Sequence, residues 1–113
     1  MPQIDNATPA QLDYAVAVAQ GFEARITGGA CVIKRGFYSI EEVYAPATDQ
    51  AQCGELIDTF GIATKPKLSK NKIWIAESIG WWEVEHESRL IAAVKAFLWS
   101  KYPDGLIEVQ DDK

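Results

Sequence analysis

The chain has 113 residues, of which 48% are apolar and 24% are charged, a composition typical of one globular domain. It contains no stretch of the roughly 20 apolar residues that a membrane-spanning helix needs, and we expect no signal peptide. The net charge of −5 disfavours nucleic acid as a partner, because phosphate binding needs clustered Lys and Arg. We therefore expect a cytoplasmic single domain over residues 1–113, with its ordered core over about 8–109.

The first half of the chain predicts one helix followed by strands. Thr8 can cap a helix that starts at Pro9, Gln11 can complete a capping box, and Gly21 can end the helix. Strands are then predicted over residues 22–26, 30–34 and 37–44, with turns at Gly28-Gly29 and Arg35-Gly36.

A second helix is predicted to begin after Asp49, with Thr48 as the alternative cap and Gln52 as the capping-box partner. Its apolar stripe consists of Cys53, Leu56, Ile57 and Phe60, and Gly61 ends it. Residues 62–64 are suited to a short edge strand.

The remaining segments predict a hairpin and a third helix. The hairpin strands are residues 72–78 and 81–85, the helix begins near Ser88, and Leu106–Val109 can return as an edge strand. Because the strands are grouped and do not alternate with helices, we predict an α+β fold with three helices packed on a mainly antiparallel sheet.

No metal or cofactor motif accompanies these elements. His86 is the one histidine, and the spacing of Cys31 and Cys53 is not that of a zinc site. In a cytoplasmic protein both cysteines are expected to be reduced thiols, with Cys53 a small core residue. We predict no metal and no cofactor.

Two charged segments are candidates for binding or catalysis. Lys65, Lys67, Lys70 and Lys72 fall within eight residues and could contact an anion, although such a run is more often a solvated loop. Glu83 and Glu85 alternate along a strand and could act as an acid–base pair, although charge rows commonly protect exposed strand edges.

The segment from Tyr44 to Gln52 is the best candidate site. It joins a strand end to a helix N-terminus, where free backbone N–H groups favour polar or anionic ligands. Helix capping alone explains part of the pattern. The candidate ligand-binding side chains are Tyr44, Thr48, Asp49, Gln50 and Gln52, with Trp74 and Tyr14 as possible walls.

Three segments give the chain a family resemblance. They are residues 12–21, residues 44–57 with the pattern Tyr-x-Pro-x-Thr-Asp-x-Ala-Gln, and residues 90–101 followed by an acidic end. On these segments the chain resembles the NinX-like proteins of tailed phages and prophages. It departs from the family pattern at Gln50, where Trp is frequent, and at Cys53, where Gly is frequent. The resemblance implies a phage or prophage protein in the cytoplasm of a bacterial host and implies no particular reaction.

Three hypotheses for function remain open. The first is a non-enzymatic phage accessory protein that binds a small polar or anionic ligand or a host protein. The second is a small enzyme that uses Asp49 or the Glu83 and Glu85 carboxylates. The third is a self-associating structural domain, since four tryptophans, including Trp81-Trp82, favour a homo-oligomer.

Overall fold

A computed structural model describes residues 3–35, 40–67, 73–78, 83–107 and 109. The helices are α1 (Pro9–Ala19), α2 (Gln50–Phe60) and α3 (Arg89–Lys101), preceded by a short 3-10 turn at Ile4–Asn6. The strands are β1 (Glu23–Thr27), β2 (Ala30–Arg35), β3 (Ile40–Val43), β4 (Ala63–Pro66), β5 (Trp74–Glu77) and β6 (Glu83–His86). The predicted turn at Gly36, the start of the predicted third strand, Lys70, Lys72, Trp81-Trp82 and the acidic end lie outside the described residues.

The strands form two antiparallel sheets of three, in the orders β1-β2-β3 and β4-β5-β6. In the first sheet Ile26 lies opposite Cys31, and in the second Trp74 lies opposite His86. Within the described part of the predicted edge strand at Leu106–Val109, Leu106 forms an antiparallel bridge with Gln3. The predicted α+β class with antiparallel pairing is confirmed, and the strands are distributed over two sheets.

Helix α1 begins with the predicted capping box. The Gln11 amide donates to Thr8 Oγ1 at 3.3 Å, and the Thr8 amide donates to Gln11 Oε1 at 2.9 Å. The helix packs on the first sheet and on α3, which buries Leu12, Val16 and Ala17.

Helix α3 lies at the centre of the fold. Residues 92–98 are all buried, and the helix contacts α1, α2, β4, β5 and β6. A helix that is apolar on nearly every side is expected to be surrounded by other elements. Ala92, Ala93 and Ala96 bring neighbouring backbones close, while Phe97 and Leu98 fill the core. In the described ranges, no helix has the length and apolar character that crossing a membrane requires.

Helix α2 joins the two halves of the chain. Cys53 and Leu56 are buried, as the predicted stripe requires. Gly61 ends the helix in the left-handed conformation with φ of 66°, which glycine adopts without steric cost. The N-terminal end of α2 follows β3 of the first sheet, and its C-terminal end leads into β4 of the second sheet.

Candidate functional site

Residues 44–49, between β3 and α2, form a braced loop, a loop whose backbone is held by side chains from several elements. Gln52 provides two of these contacts: its Oε1 accepts from the Ala45 amide at 2.7 Å, and its Nε2 donates to the Val43 carbonyl at 3.0 Å. Asp49 caps α2 as predicted by accepting from the Gln52 amide at 2.9 Å. The prediction that Gln52 returns this contact is wrong, because the Asp49 amide already donates to the Ala45 carbonyl at 2.6 Å.

Asp13 of α1 holds the middle of the braced loop from below. Its carboxylate is only 4% exposed and its Oδ1 accepts from the Ala47 amide at 2.8 Å. Burial raises the pKa of Asp13 to about 7, although the hydrogen bond from Ala47 acts in the opposite direction. Burial disfavours the charged form of a carboxyl group, which is why this pKa rises. The contact between Asp13 and Ala47 therefore joins α1 to the loop through a group that titrates near neutral pH.

Sequence reasoning missed Asp13 as a structural and titratable group. A single acidic residue in a helix resembles an ordinary solvated position. The only signal available was its place between Leu12 and Tyr14, both of which are buried. An acid flanked by core residues in a helix with little amphipathic contrast is a reason to look for a buried partner.

Tyr44 is the first residue of the braced loop, and its side chain anchors the loop in the core. It is 3% exposed, and its hydroxyl accepts from Gln20 Nε2 at 2.7 Å. Its ring meets Phe22 edge to face, with 5.9 Å between ring centroids. Tyr44 and Gln20 also border a cavity of about 240 Å³ whose other lining residues include Glu55.

The structure brings five of the seven candidate ligand-binding residues together at this end of α2. Of these, Tyr44 and Gln52 are occupied in holding the backbone, whereas Thr48, Asp49 and Gln50 are exposed. The two proposed walls lie elsewhere. Tyr14 is buried in the core, and Trp74 lies in the second sheet, where the Arg89 guanidinium is 5.9 Å from its ring centroid.

The candidate charged residues that the structure describes lie at the surface. Lys67 Nζ forms an ion pair with Glu85 Oε1 at 2.5 Å, which neutralises one of the predicted anion contacts. Lys65 is exposed on β4, and Glu83 is exposed on β6. Lys67 and Glu85 border an open cavity of about 380 Å³ with His86, whose Nδ1 accepts from the Ser88 amide at 2.9 Å.

The two cysteines are free and buried. Burial raises the pKa of Cys31 to about 12 and that of Cys53 to about 11, and the Asp13 carboxylate adds to both increases. A thiol acts as a nucleophile or metal ligand when it is deprotonated, so both remain protonated at neutral pH. Within the described ranges, no three His, Cys, Asp or Glu residues form a group that could hold a metal ion.

Fold and site together define a small α+β protein whose distinctive polar segment is a loop fixed at a helix N-terminus. The family model described as bacteriophage P22 NinX matches residues 6–101 of the chain. The chain therefore belongs to this phage family, which confirms the resemblance seen in the sequence, and the family membership supports a phage accessory protein. No match was found among curated proteins. The matched range includes Asp13 and the whole braced loop.

Proposed function

We propose that this phage accessory protein is a non-enzymatic binding protein that recognises a host protein through the exposed side of the braced loop. The observation that supports the proposal most is the division of labour in the loop. Asp13, Tyr44 and Gln52 hold its backbone from the inside, while Thr48, Asp49 and Gln50 are left exposed.

Fixing the loop before binding favours affinity. Association normally loses free energy when flexible segments become ordered, and a preorganised segment avoids much of that loss. Here the amides of Ala45 and Ala47 and the carbonyl of Val43 are all bound by side chains from other positions.

The exposed groups suit a protein partner better than a small molecule. A small-molecule site buries most of its ligand in a concave pocket, whereas Thr48, Asp49 and Gln50 are all exposed. Val43 is 57% exposed beside the loop and offers an apolar contact next to these polar groups. An apolar centre with a polar rim is the usual composition of a protein interface.

The negative charge of this surface indicates which side chains the partner should present. Asp49, Glu55 and Asp58 are exposed along α2, and the whole chain carries a net charge of −5. Asp49 already occupies the N-terminal amide of α2 at Gln52, so a second anion would meet repulsion there. We therefore expect the partner to present basic side chains, with an affinity that falls as salt is added.

The experiment compares the wild-type protein with Gln50→Arg and Val43→Lys as bait for host proteins. The matched control is Glu83→Gln, which changes the charge by the same amount as Gln50→Arg at an exposed position of β6, in the other sheet. We expect a protein that is retained by the wild type and the control and lost with both loop variants. The purified partner should then bind the loop variants at least about tenfold more weakly.

Equal retention by all four proteins would contradict the proposal. Equal thermal melting of the four proteins establishes that a loss of binding is not a loss of folding. A concentration-dependent dimer that dissociates in the loop variants would instead support the self-association hypothesis.

A further inference from the structure

The cavity that Tyr44 borders lies directly beside the braced loop, because Tyr44 belongs to both. It has a volume of about 240 Å³, and its described lining residues are Gln20, Phe22, Tyr44, Glu55, Leu56 and Thr59. A cavity of about 150 Å³ in another protein binds benzene, so this one has room for a planar guanidinium group, which has fewer heavy atoms. Glu55 lies about 9 Å along α2 from Asp49, since each helical residue advances about 1.5 Å. One partner can therefore contact the loop and this cavity together.

Glu55 gives the cavity a carboxylate that solvent and ligands can reach. It is exposed, and within the described part of the chain it forms no hydrogen bond or ion pair. Other exposed acids of the protein differ in this respect. Glu41 pairs with Arg25 Nη2 at 2.7 Å, and Glu85 pairs with Lys67. The charge of Glu55 is therefore available to a cation that enters the cavity.

Two uncharged side chains add hydrogen-bond acceptors to the lining. Gln20 Nε2 donates to the Val16 carbonyl at 3.3 Å and to the Tyr44 hydroxyl at 2.7 Å. Both amide hydrogens of Gln20 are thereby used, and its Oε1 is the atom that can accept a further bond. Thr59 is exposed one turn after Glu55, on the same face of α2, and its hydroxyl can also accept. The cavity thus presents three acceptors, one of them charged.

The other lining side chains are apolar and suit a planar cation. Phe22 is half-buried and Leu56 is buried at the base of the cavity. Cations gain free energy beside an aromatic ring. Arginine combines a planar charged group with five N–H donors in a fixed fork, so it can pair with a carboxylate and pack against a ring at once. The lysine ammonium is a compact charge that does not stack in this way.

From the unpaired Glu55 carboxylate, the two neutral acceptors and the aromatic wall, we infer that the cavity receives one arginine side chain of the host protein. The guanidinium pairs with Glu55 and packs on the Phe22 ring. Its remaining N–H groups donate to Gln20 Oε1 and Thr59 Oγ1. Arginine is among the residues that dominate binding energy at interfaces. The assignment of a protein partner rests on the proposed function, whereas the affinity of the cavity for a guanidinium group does not.

The test is an amide NMR titration of the intact protein with three probes, N-acetyl-arginine amide, N-acetyl-lysine amide and N-acetyl-citrulline amide. Citrulline has the shape of arginine without its charge. The arginine probe should give saturable shifts at residues 20–22, 44 and 55–59, with a Kd of about 10 mM. The lysine probe should bind about threefold more weakly, and the citrulline probe about tenfold more weakly.

Glu55→Gln and the matched control Glu83→Gln each remove one exposed carboxylate. The affinity for the arginine probe should fall about tenfold in Glu55→Gln and stay unchanged in Glu83→Gln. The absence of saturable shifts in the wild type up to about 50 mM would overturn the inference, as would equal affinity for the three probes. Equal losses in the two variants would also overturn it. The comparison of probes on the wild type does not depend on the folding of any variant.

Retention of host proteins separates this inference from the proposed function. A host protein that binds the braced loop, combined with no binding of the arginine probe, would overturn the arginine site alone. Binding of the probe without any retained host protein would overturn the protein partner and leave the guanidinium site in place. With a purified partner, Glu55→Gln should weaken binding about tenfold, and Glu83→Gln should leave it unchanged.

Discussion

The two ends of α2 differ in whether the buried polar side chains around them have hydrogen-bond partners. At the N-terminal end, Asp13, Gln52 and Tyr44 all have hydrogen-bond partners in or around the braced loop. At the C-terminal end, the buried Ser78 hydroxyl has none within the described residues. A satisfied polar group contributes to structure, whereas an unsatisfied one indicates a missing partner. The first end is therefore held by satisfied contacts, whereas the second keeps one buried hydroxyl at a cost in stability.

The largest effect expected from this comparison is a pH dependence that comes from Asp13. Its pKa of about 7 lies above the ordinary value of 3.8, so the folded protein binds the proton more tightly than the unfolded chain. Its contribution to stability is therefore complete below about pH 4 and is lost as the pH rises through about 7. A shift of this size corresponds to at most about 4 kcal/mol.

The measurement is urea unfolding of the wild type and Asp13→Asn from pH 4 to pH 9. Asparagine keeps an oxygen that can accept from the Ala47 amide but does not ionise. The free energy of unfolding of the wild type should fall relative to that of the variant as the pH rises. Parallel curves would show that the carboxylate is not buried as described.

Leu56→Ala should have the next largest effect, because Leu56 is buried in the middle of α2. Truncation of a buried leucine costs about 3 kcal/mol. The variant should raise the rate of amide hydrogen exchange at both ends of the helix. Hydrogen exchange that accelerates in the braced loop and around Phe97 alike would confirm that α2 joins the two regions. Acceleration at one end only would show that they are independent.

Gln52→Ala should destabilise the protein by about 2 kcal/mol, because it leaves the Ala45 amide and the Val43 carbonyl without their partners. Gln50→Ala is the matched control, and it should change stability by less than about 0.5 kcal/mol because Gln50 is exposed. Thermal and urea unfolding measure the change in stability of each variant. Equal effects would remove the distinction between bracing and exposed residues.

Ser78→Ala should have the smallest effect and the opposite sign. Removal of an unpaired buried hydroxyl should stabilise the protein by about 1 kcal/mol. Ser100→Ala should instead be slightly destabilising, because it loses the contact with the Phe97 carbonyl. A destabilised Ser78→Ala variant would show that its hydroxyl already has a partner in solution.

The sequence predicted the local features of this fold well. The Thr8–Gln11 capping box, the Asp49 cap and the Gly61 end all depend on neighbouring residues, and all three are present. The partner of Gln52 was predicted wrongly because the course of the loop brings Ala45 to the Asp49 amide. That course depends on Asp13, which is 34 positions from Ala47 in the chain.

The candidate site was located in the right segment, but the roles of its residues needed the fold. Tyr44 and Thr48 both carry a hydroxyl that could bind a ligand, yet Tyr44 is buried against Gln20 and Thr48 is exposed. A cavity at Ser78 had no sequence signal, because the lining residues that the structure describes come from three separate segments of the chain. Local patterns report helix caps and stripes, whereas burial depends on contacts between distant residues.

The central claim is that the braced loop is held rigid from the inside while its outer side chains stay exposed for binding. Amide hydrogen exchange at Ala45 and Ala47, measured by NMR on the wild-type protein, tests it most directly. Protection of both amides by at least about 10³-fold, equivalent to about 4 kcal/mol of opening free energy, is the predicted result. Exchange within about tenfold of the rate for an unprotected amide would contradict the account, since it would mean that the loop opens freely.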